Sequence, residues 1–129
     1  MTYARIAGVG SYLPKKILTN HDLEKIMDTS DEWIRERTGI KRRHIAGEDE
    51  TTASMGLEAA RRALDMAEID ASEIDLIIVG TCTPDKVIPA SACIIQRRLG
   101  IEGGGALDVP RPATGRRWAK ARRAGSAAG

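Results

Sequence analysis

The sequence predicts an α/β protein in which helices pack on a mixed, partly parallel sheet. Three observations carry that reading. Residues 75–83, "DLIIVGTCT", form a continuous apolar run ending in small residues, as in a strand buried on both faces. Residues 51–69, "TTASMGLEAARRALDMAEI", alternate an apolar and a charged side with helical spacing. Residues 89–101, "PASACIIQRRLGI", read as a second helix, and a second apolar run, "GALDV", follows it. Two strands separated by a helix make a parallel unit.

Taken in chain order, "YARIAGVGSYLP" places Ile6 and Val9 among small residues and ends at Pro14, the pattern of a strand followed by a turn. Gly8 and Gly10 suggest close backbone approach. A GxG pair with no third glycine opening a helix is too weak for a dinucleotide fingerprint. "TNHDLEKIMD" reads as a short helix capped by Thr19 or Asn20, with Leu23, Ile26 and Met27 on one face. "TSDEWIRERTG" is another, with Ser30 as N-cap, Asp31 and Glu32 in the positive first turn, and Gly39 as its stop. "IKRRHI" lacks helical spacing and is expected to be extended.

In the long helix, Met55, Ala59, Leu64 and Ala67 line one side, and Glu58, Arg61, Arg62 and Asp65 the other. "ASEID" makes a brief turn before the first apolar strand. The helix after it has Pro89 near its first turn and Gly100 at its end. "GALDV" would then be a buried strand with no apolar helix following it. Leu and Ile are absent beyond Val109.

Charge divides the chain at the same place. The 129 residues hold 20 basic and 18 acidic side chains, and all the acidic ones precede Pro110. Residues 1–109 therefore carry −4 and residues 110–129 carry +6. The reading is of a partial α/β domain over 1–109 and a basic, disordered tail over 110–129. Such a tail could hold nucleic acid by counterion release. Trp118 is its sole aromatic, so no stacking platform is present, and a solvated tail is the preferred reading.

Cys82 and Cys93 are too few for a disulfide framework, and no CxxC or histidine-rich spacing suggests zinc. No apolar run approaches the ~20 residues of a membrane span, and no signal-peptide pattern opens the chain. A cytoplasmic protein is expected. Cys82 has no basic neighbour in sequence to depress its pKa and reads as small-residue packing at a strand end. Cys93 reads as a small core residue, and His21 and His44 as surface positions.

Trp33 is the residue that points furthest. It shares a short polar helix with Arg35 and Arg37, close to Lys41, Arg42 and Arg43. An indole among guanidinium groups suits an adenine ring with phosphates. The alternative is that Trp33 packs on the body and the charges form a solvated face.

The stretches "GVGSYLPKKILTNHDLEKIMDTSDEWIRERTGIKRRHIA", "GTCTPDKVIPASACIIQRRLGI" and "ALDV" resemble the N-terminal part of β-ketoacyl-[acyl-carrier-protein] synthase III, the initiating condensing enzyme of type II fatty-acid synthesis. The run from Thr29 to Ile34 followed by Arg37, Thr38, Gly39 and Ile40 is the most specific part. The resemblance implies the N-terminal portion of a thiolase-like layered fold. It also implies that Trp33 stacks on the adenine of coenzyme A, with Thr29 and Arg37 beside it. The implied chemistry is ping-pong: a cysteine takes the acyl group from acyl-CoA, and malonyl-acyl carrier protein is then decarboxylated and condensed onto it. The implied partners are acyl-CoA, acyl carrier protein and a second copy in a homodimer, with no tightly bound cofactor.

The family's nucleophile motif, Ala-Ala-Cys-x-Gly, directly follows the strand that "ALDV" resembles. Here "PRPATG" stands there, with Ala113 at the position expected for the cysteine. Codons CGG-CCT-GCA-ACG-GGN for Arg111 to Gly115, after a Pro110 codon ending in G, read one base earlier as Ala-Ala-Cys-Asn-Gly. The expectation is thus a reading-frame shift near codon 109 and a chain without its catalytic cysteine, histidine and asparagine. Poor solubility is expected with it, because the apolar strands would lack cover.

Overall fold

The structure, a computed structural model, describes residues 3–110. The basic tail and Ala113 lie outside the described residues. The described elements are β1 (Lys16–Thr19), α1 (Asn20–Glu24), α2 (Asp31–Thr38), β2 (Arg42–Ile45), α3 (Thr52–Ala67), a single 3-10 turn (Ala71–Glu73), β3 (Leu76–Gly80), α4 (Ser91–Leu99) and β4 (Gly105–Val109).

The strands form two separate pairs. β1 and β2 are antiparallel, with Lys16 opposite Ile45 and Thr19 opposite Arg42. β3 and β4 are parallel, with Leu76 opposite Gly105 and Gly80 opposite Val109. α4 makes the crossover between them, as the sequence led one to expect. Sequence reading found β2 but missed β1, because "KILT" is too short to show a period and becomes a strand only by pairing with β2.

Helix ends follow local chemistry. Thr19 and Asp22 form a reciprocal capping box on α1, as do Thr51 and Ser54 on α3. Ser30 caps α2 through the Trp33 amide, and Gly39 closes it with φ 70°. Gly100 closes α4 at φ 76°. α1 is shorter than its pattern: the Leu23 carbonyl accepts from both Ile26 and Met27, ending the helix, and those two side chains stay exposed. The expected face of Leu23, Ile26 and Met27 is therefore not buried as a unit.

The core is the contact of α3 with α4. Ala53, Leu57 and Ile95 are buried, and Ile77, Val79, Ile94 and Leu99 pack against them. Gly56 permits the approach, since a Cβ there would meet Ile95 Cδ1 at 3.0 Å. β3 is not buried on both faces. Ile77 and Val79 turn to the helices, while Leu76 and Ile78 remain 53% and 60% exposed. Among the described residues no layer covers that second face, so the alternation of a half-covered sheet results.

Residues 3–14 form neither helix nor strand and join no strand pair among the described residues. They lie along α3 instead. A Cβ on Gly8 would fall 2.9 Å from Ala67 Cβ, and one on Gly10 would fall 2.5 Å from the Ala63 nitrogen. The segment is fastened by Arg62, whose guanidinium donates to the Ser11 carbonyl at 2.7 Å and stacks on Tyr12, and by the Tyr12–Glu50 hydrogen bond. That bond raises the Tyr12 pKa and lowers that of Glu50. The two glycines thus mark a close approach, to a helix rather than to a neighbouring strand.

Candidate functional site

The corner of α1, α2 and β2 is built on Asn20, which is buried at 1% exposure. Its amide nitrogen donates to Asp31 Oδ1 and to the Ile40 carbonyl, each at 2.8 Å, and its oxygen accepts from Arg43 at 2.9 Å. One buried amide thereby ties the end of β1, the start of α2, the turn after α2 and β2 together. Glu24 reinforces the corner by accepting the Asp31 amide at 2.6 Å. Ile34, on the inner side of α2, is buried. With Ile34 inward, Trp33 must point outward, and it is 53% exposed.

Thr29, Ser30 and Trp33 border one open concavity of about 320 Å³, together with Asp28. The Arg37 guanidinium lies 4.8 Å above the indole centroid. The three residues singled out by sequence, Thr29, Trp33 and Arg37, are therefore neighbours. The wider cluster of cations around the indole is not formed. Arg35 pairs with Asp31 at 3.3 Å and borders a different concavity with Glu32, Glu36, Gly39 and Lys41. Arg43 is turned inward to Asn20. The spacing of four from Asp31 to Arg35 draws Arg35 to its own side of α2.

The second group lies where β4 meets α4. Asp108 accepts the Ser91 amide at 2.7 Å and the Ala92 amide at 2.8 Å. Burial pushes its carboxyl up, but the Ala92 and Ser91 amides pull further the other way, so its pKa is lowered. Sequence reasoning missed this role, although a signal existed. α4 begins at Ala90, which has no capping side chain, so its orphan N–H groups must find an acceptor elsewhere. An aspartate inside an apolar strand is the available one. Asp85 acts similarly on α3, accepting the Ala53 amide at 3.0 Å and the Thr51 hydroxyl at 2.6 Å.

Other residues weighed from sequence fall away from both groups. Cys82 is exposed in the turn after β3 rather than packed at the strand end. Cys93 is half-buried on α4, with its thiol toward the Ala106 carbonyl at 3.8 Å. His21 is exposed and paired with Glu24 at 3.0 Å. His44 is half-buried, not a free surface residue, and its Nδ1 donates to the Pro14 carbonyl at 2.6 Å. Among the described residues no cluster of His, Cys, Asp and Glu could hold a metal, and no helix is long and apolar enough to cross a membrane.

No family profile matches the chain. Individual proteins do. It is 60% identical to the β-ketoacyl-[acyl-carrier-protein] synthase III of Thioalkalivibrio sulfidiphilus over 115 residues, 89% of this chain and 36% of that protein. It is 61% identical to the Xylella fastidiosa synthase III over 107 residues, 83% of this chain and 33% of that one. In three dimensions it matches the 3-oxoacyl-[acyl-carrier-protein] synthase III of Aquifex aeolicus with a TM-score of 0.82 and 49% identity, over 92% of this chain and 38% of that one. It also matches the priming β-ketosynthase of the R1128 polyketide pathway, with a TM-score of 0.80 and 41% identity over 83% and 32% of the two chains. The chain spans about a third of the length of the curated relatives it matches. In sequence and in its thiolase-like fold, it corresponds to that third of a β-ketoacyl-[acyl-carrier-protein] synthase III.

Proposed function

We propose that this chain is the coenzyme-A-facing part of a β-ketoacyl-[acyl-carrier-protein] synthase III, an acyltransferase of fatty-acid biosynthesis, and that it binds CoA without turning it over. One observation carries the reading. The exposed Trp33 indole borders an open concavity with Thr29 and has the Arg37 cation stacked on it. An aromatic face held beside polar groups suits an adenine ring, which stacks on the indole while its sugar and phosphates stay in water.

The whole reaction proposed for the family joins acyl-CoA and malonyl-acyl carrier protein to give 3-oxoacyl-acyl carrier protein, CO2 and CoA. The acyl group passes through a cysteine thioester. Neither cysteine of this chain stands directly after β4, where that nucleophile is expected, and Ala113 occupies the position. The absence of turnover follows from that substitution, and a shifted reading frame after Val109 explains it. The same proposal carries acyl carrier protein as partner, a homodimeric assembly and a cytoplasmic setting.

Three measurements test it. Equilibrium binding of CoA to the full chain is expected to be weak, and to be lost in Trp33→Ala; a wild-type chain that binds no CoA overturns the site. Incubation with labelled acyl-CoA and malonyl-acyl carrier protein is expected to give no 3-oxoacyl product, and product formation overturns the claim of inactivity. The gene's nucleotide sequence around codon 109 is expected to encode Ala-Ala-Cys in the frame one base earlier. A gene without it removes the frameshift.

A further inference from the structure

We infer that the outer face of the β3–β4 pair is a docking surface, and that it binds, as a separate polypeptide, the part of a synthase III that this chain does not span. The inference rests on the family correspondence and is independent of whether this chain binds CoA. Leu76, Ile78 and Gly80 of β3 point outward in register with Gly105, Leu107 and Val109 of β4. None of these positions carries a polar side chain. Leu76 lies across Gly105, where an added Cβ would fall 3.0 Å from its Cδ1, so the apolar surface is continuous. It is also open, with Leu76, Ile78 and Leu107 all exposed. A sheet face that meets water carries polar side chains, whereas parallel strands are covered on both sides. Here α3 and α4 cover one side, over Ile77 and Val79.

Residues 110–129 contain no Leu, Ile, Val, Met or Phe and carry six basic side chains, so they supply no apolar layer. A second copy would set sheet against sheet, the packing of antiparallel sandwiches rather than of parallel units. Three partly exposed aliphatic side chains also fall far short of the ~800 Å² per partner of a stable interface. The relatives extend well beyond the matched region, which makes up 36% of the Thioalkalivibrio sulfidiphilus protein and 33% of the Xylella fastidiosa one. A chain comprising that remainder meets a face already formed here. It also reaches the free edges of β3 and β4, which bond to no further strand among the described residues.

The experiment co-expresses the full chain with the part of the Thioalkalivibrio sulfidiphilus synthase III that follows its counterpart of β4, each carrying its own tag. A soluble equimolar complex is expected, with slower hydrogen exchange in β3 and β4 than in the chain alone. Ile78→Thr with Leu107→Thr is expected to weaken the complex by at least about tenfold. Met66→Gln, at an exposed position of α3 on the other side of the sheet, is expected to leave it unchanged. Affinities are compared between chains whose circular dichroism matches the parent, with Leu76→Thr alone as a milder probe of the same face. Recovery of either chain without the other, or of neither, overturns the inference. A complex undiminished by every threonine variant puts the contact elsewhere and overturns it as well. A discrete dimer of this chain alone, lost in the threonine variants, makes a second copy the occupant instead.

Discussion

The Asp108 carboxylate spans from β4 to the first turn of α4, 2.7 Å from the Ser91 amide and 2.8 Å from that of Ala92. A charge-assisted acceptor at a helix N-terminus meets both the orphan donors and the helix dipole. It also fixes the end of β4 against α4, the point from which the chain runs on to position 113. Asp108→Ala removes the acceptor from two amides, and Ser91 is fully buried. The expected cost is about 1–3 kcal/mol, read by urea denaturation, with faster hydrogen exchange at Ser91 and Ala92. Unchanged exchange at those amides would mean that the cap is not formed in solution.

Gly10→Ala tests the seating of the N-terminal segment. The added Cβ would meet the α3 backbone at Ala59 and Ala63, which has no flexible side chain to yield. Overpacking of this kind costs about 1–3 kcal/mol. Release of residues 3–14 is expected, measured as tryptic cleavage after Arg5 at protease levels that leave the parent chain intact. A variant as resistant as the parent would show that the segment does not lie on α3.

Acid should loosen the α1–α2 corner from one direction and base from the other. Asp22 is held down from 3.8 to about 2 by the Thr19 hydroxyl, then the Thr19 amide and Lys25. A depressed carboxylate gives stability that is present above its unfolded pKa and lost as pH falls through the folded value. Its contribution is therefore expected to fade between pH 3.8 and about 2. His21 is raised above 6.5 by its hydrogen bond with Glu24. Its contribution is full below 6.5 and disappears as pH rises through the raised value. Both pairs are exposed, so the effects are small and fade with salt. Thermal melts of the parent, Asp22→Asn and His21→Ala across pH check the signs; an Asp22→Asn chain with undiminished acid sensitivity would move that role to the other lowered carboxylates.

The outer face of the parallel pair sets the behaviour of the isolated chain. Leu76, Ile78 and Leu107 are 53%, 60% and 42% exposed, and Ile78 stands opposite Leu107. Contiguous apolar strands with open edges invite association. Ile78→Thr with Leu107→Thr is expected to reduce dye binding to apolar surface and light scattering, with less than about 1 kcal/mol lost, since little burial is removed. A large fall in stability instead would mean that this face is already covered in the isolated chain.

How far the sequence reached can be judged element by element. The start and stop of α2 were legible because Ser30 and Gly39 act on their own backbone neighbours. β3, α4 and β4 were legible because apolar runs and Gly100 mark them locally. Of the candidate site, Trp33 and Arg37 were named from the chain, and their adjacency follows from helical spacing of four, whereas Thr29 was named through the resemblance and precedes the Ser30 cap of α2. The proposed role of each as a CoA contact came from resemblance and not from spacing.

The tertiary structure decided everything that depends on a distant partner. β1 exists through pairing with β2. Residues 3–14 lie on α3 instead of in a sheet, and β3 is covered on one face rather than two. Asn20 and Asp108 became the joints of two corners of the fold. Caps and periodicity act within about one helical turn and are written in neighbouring residues. A buried polar group is satisfied by whatever the fold brings near, and here that is 11 residues away for Asn20 and Asp31 and 17 for Ser91 and Asp108.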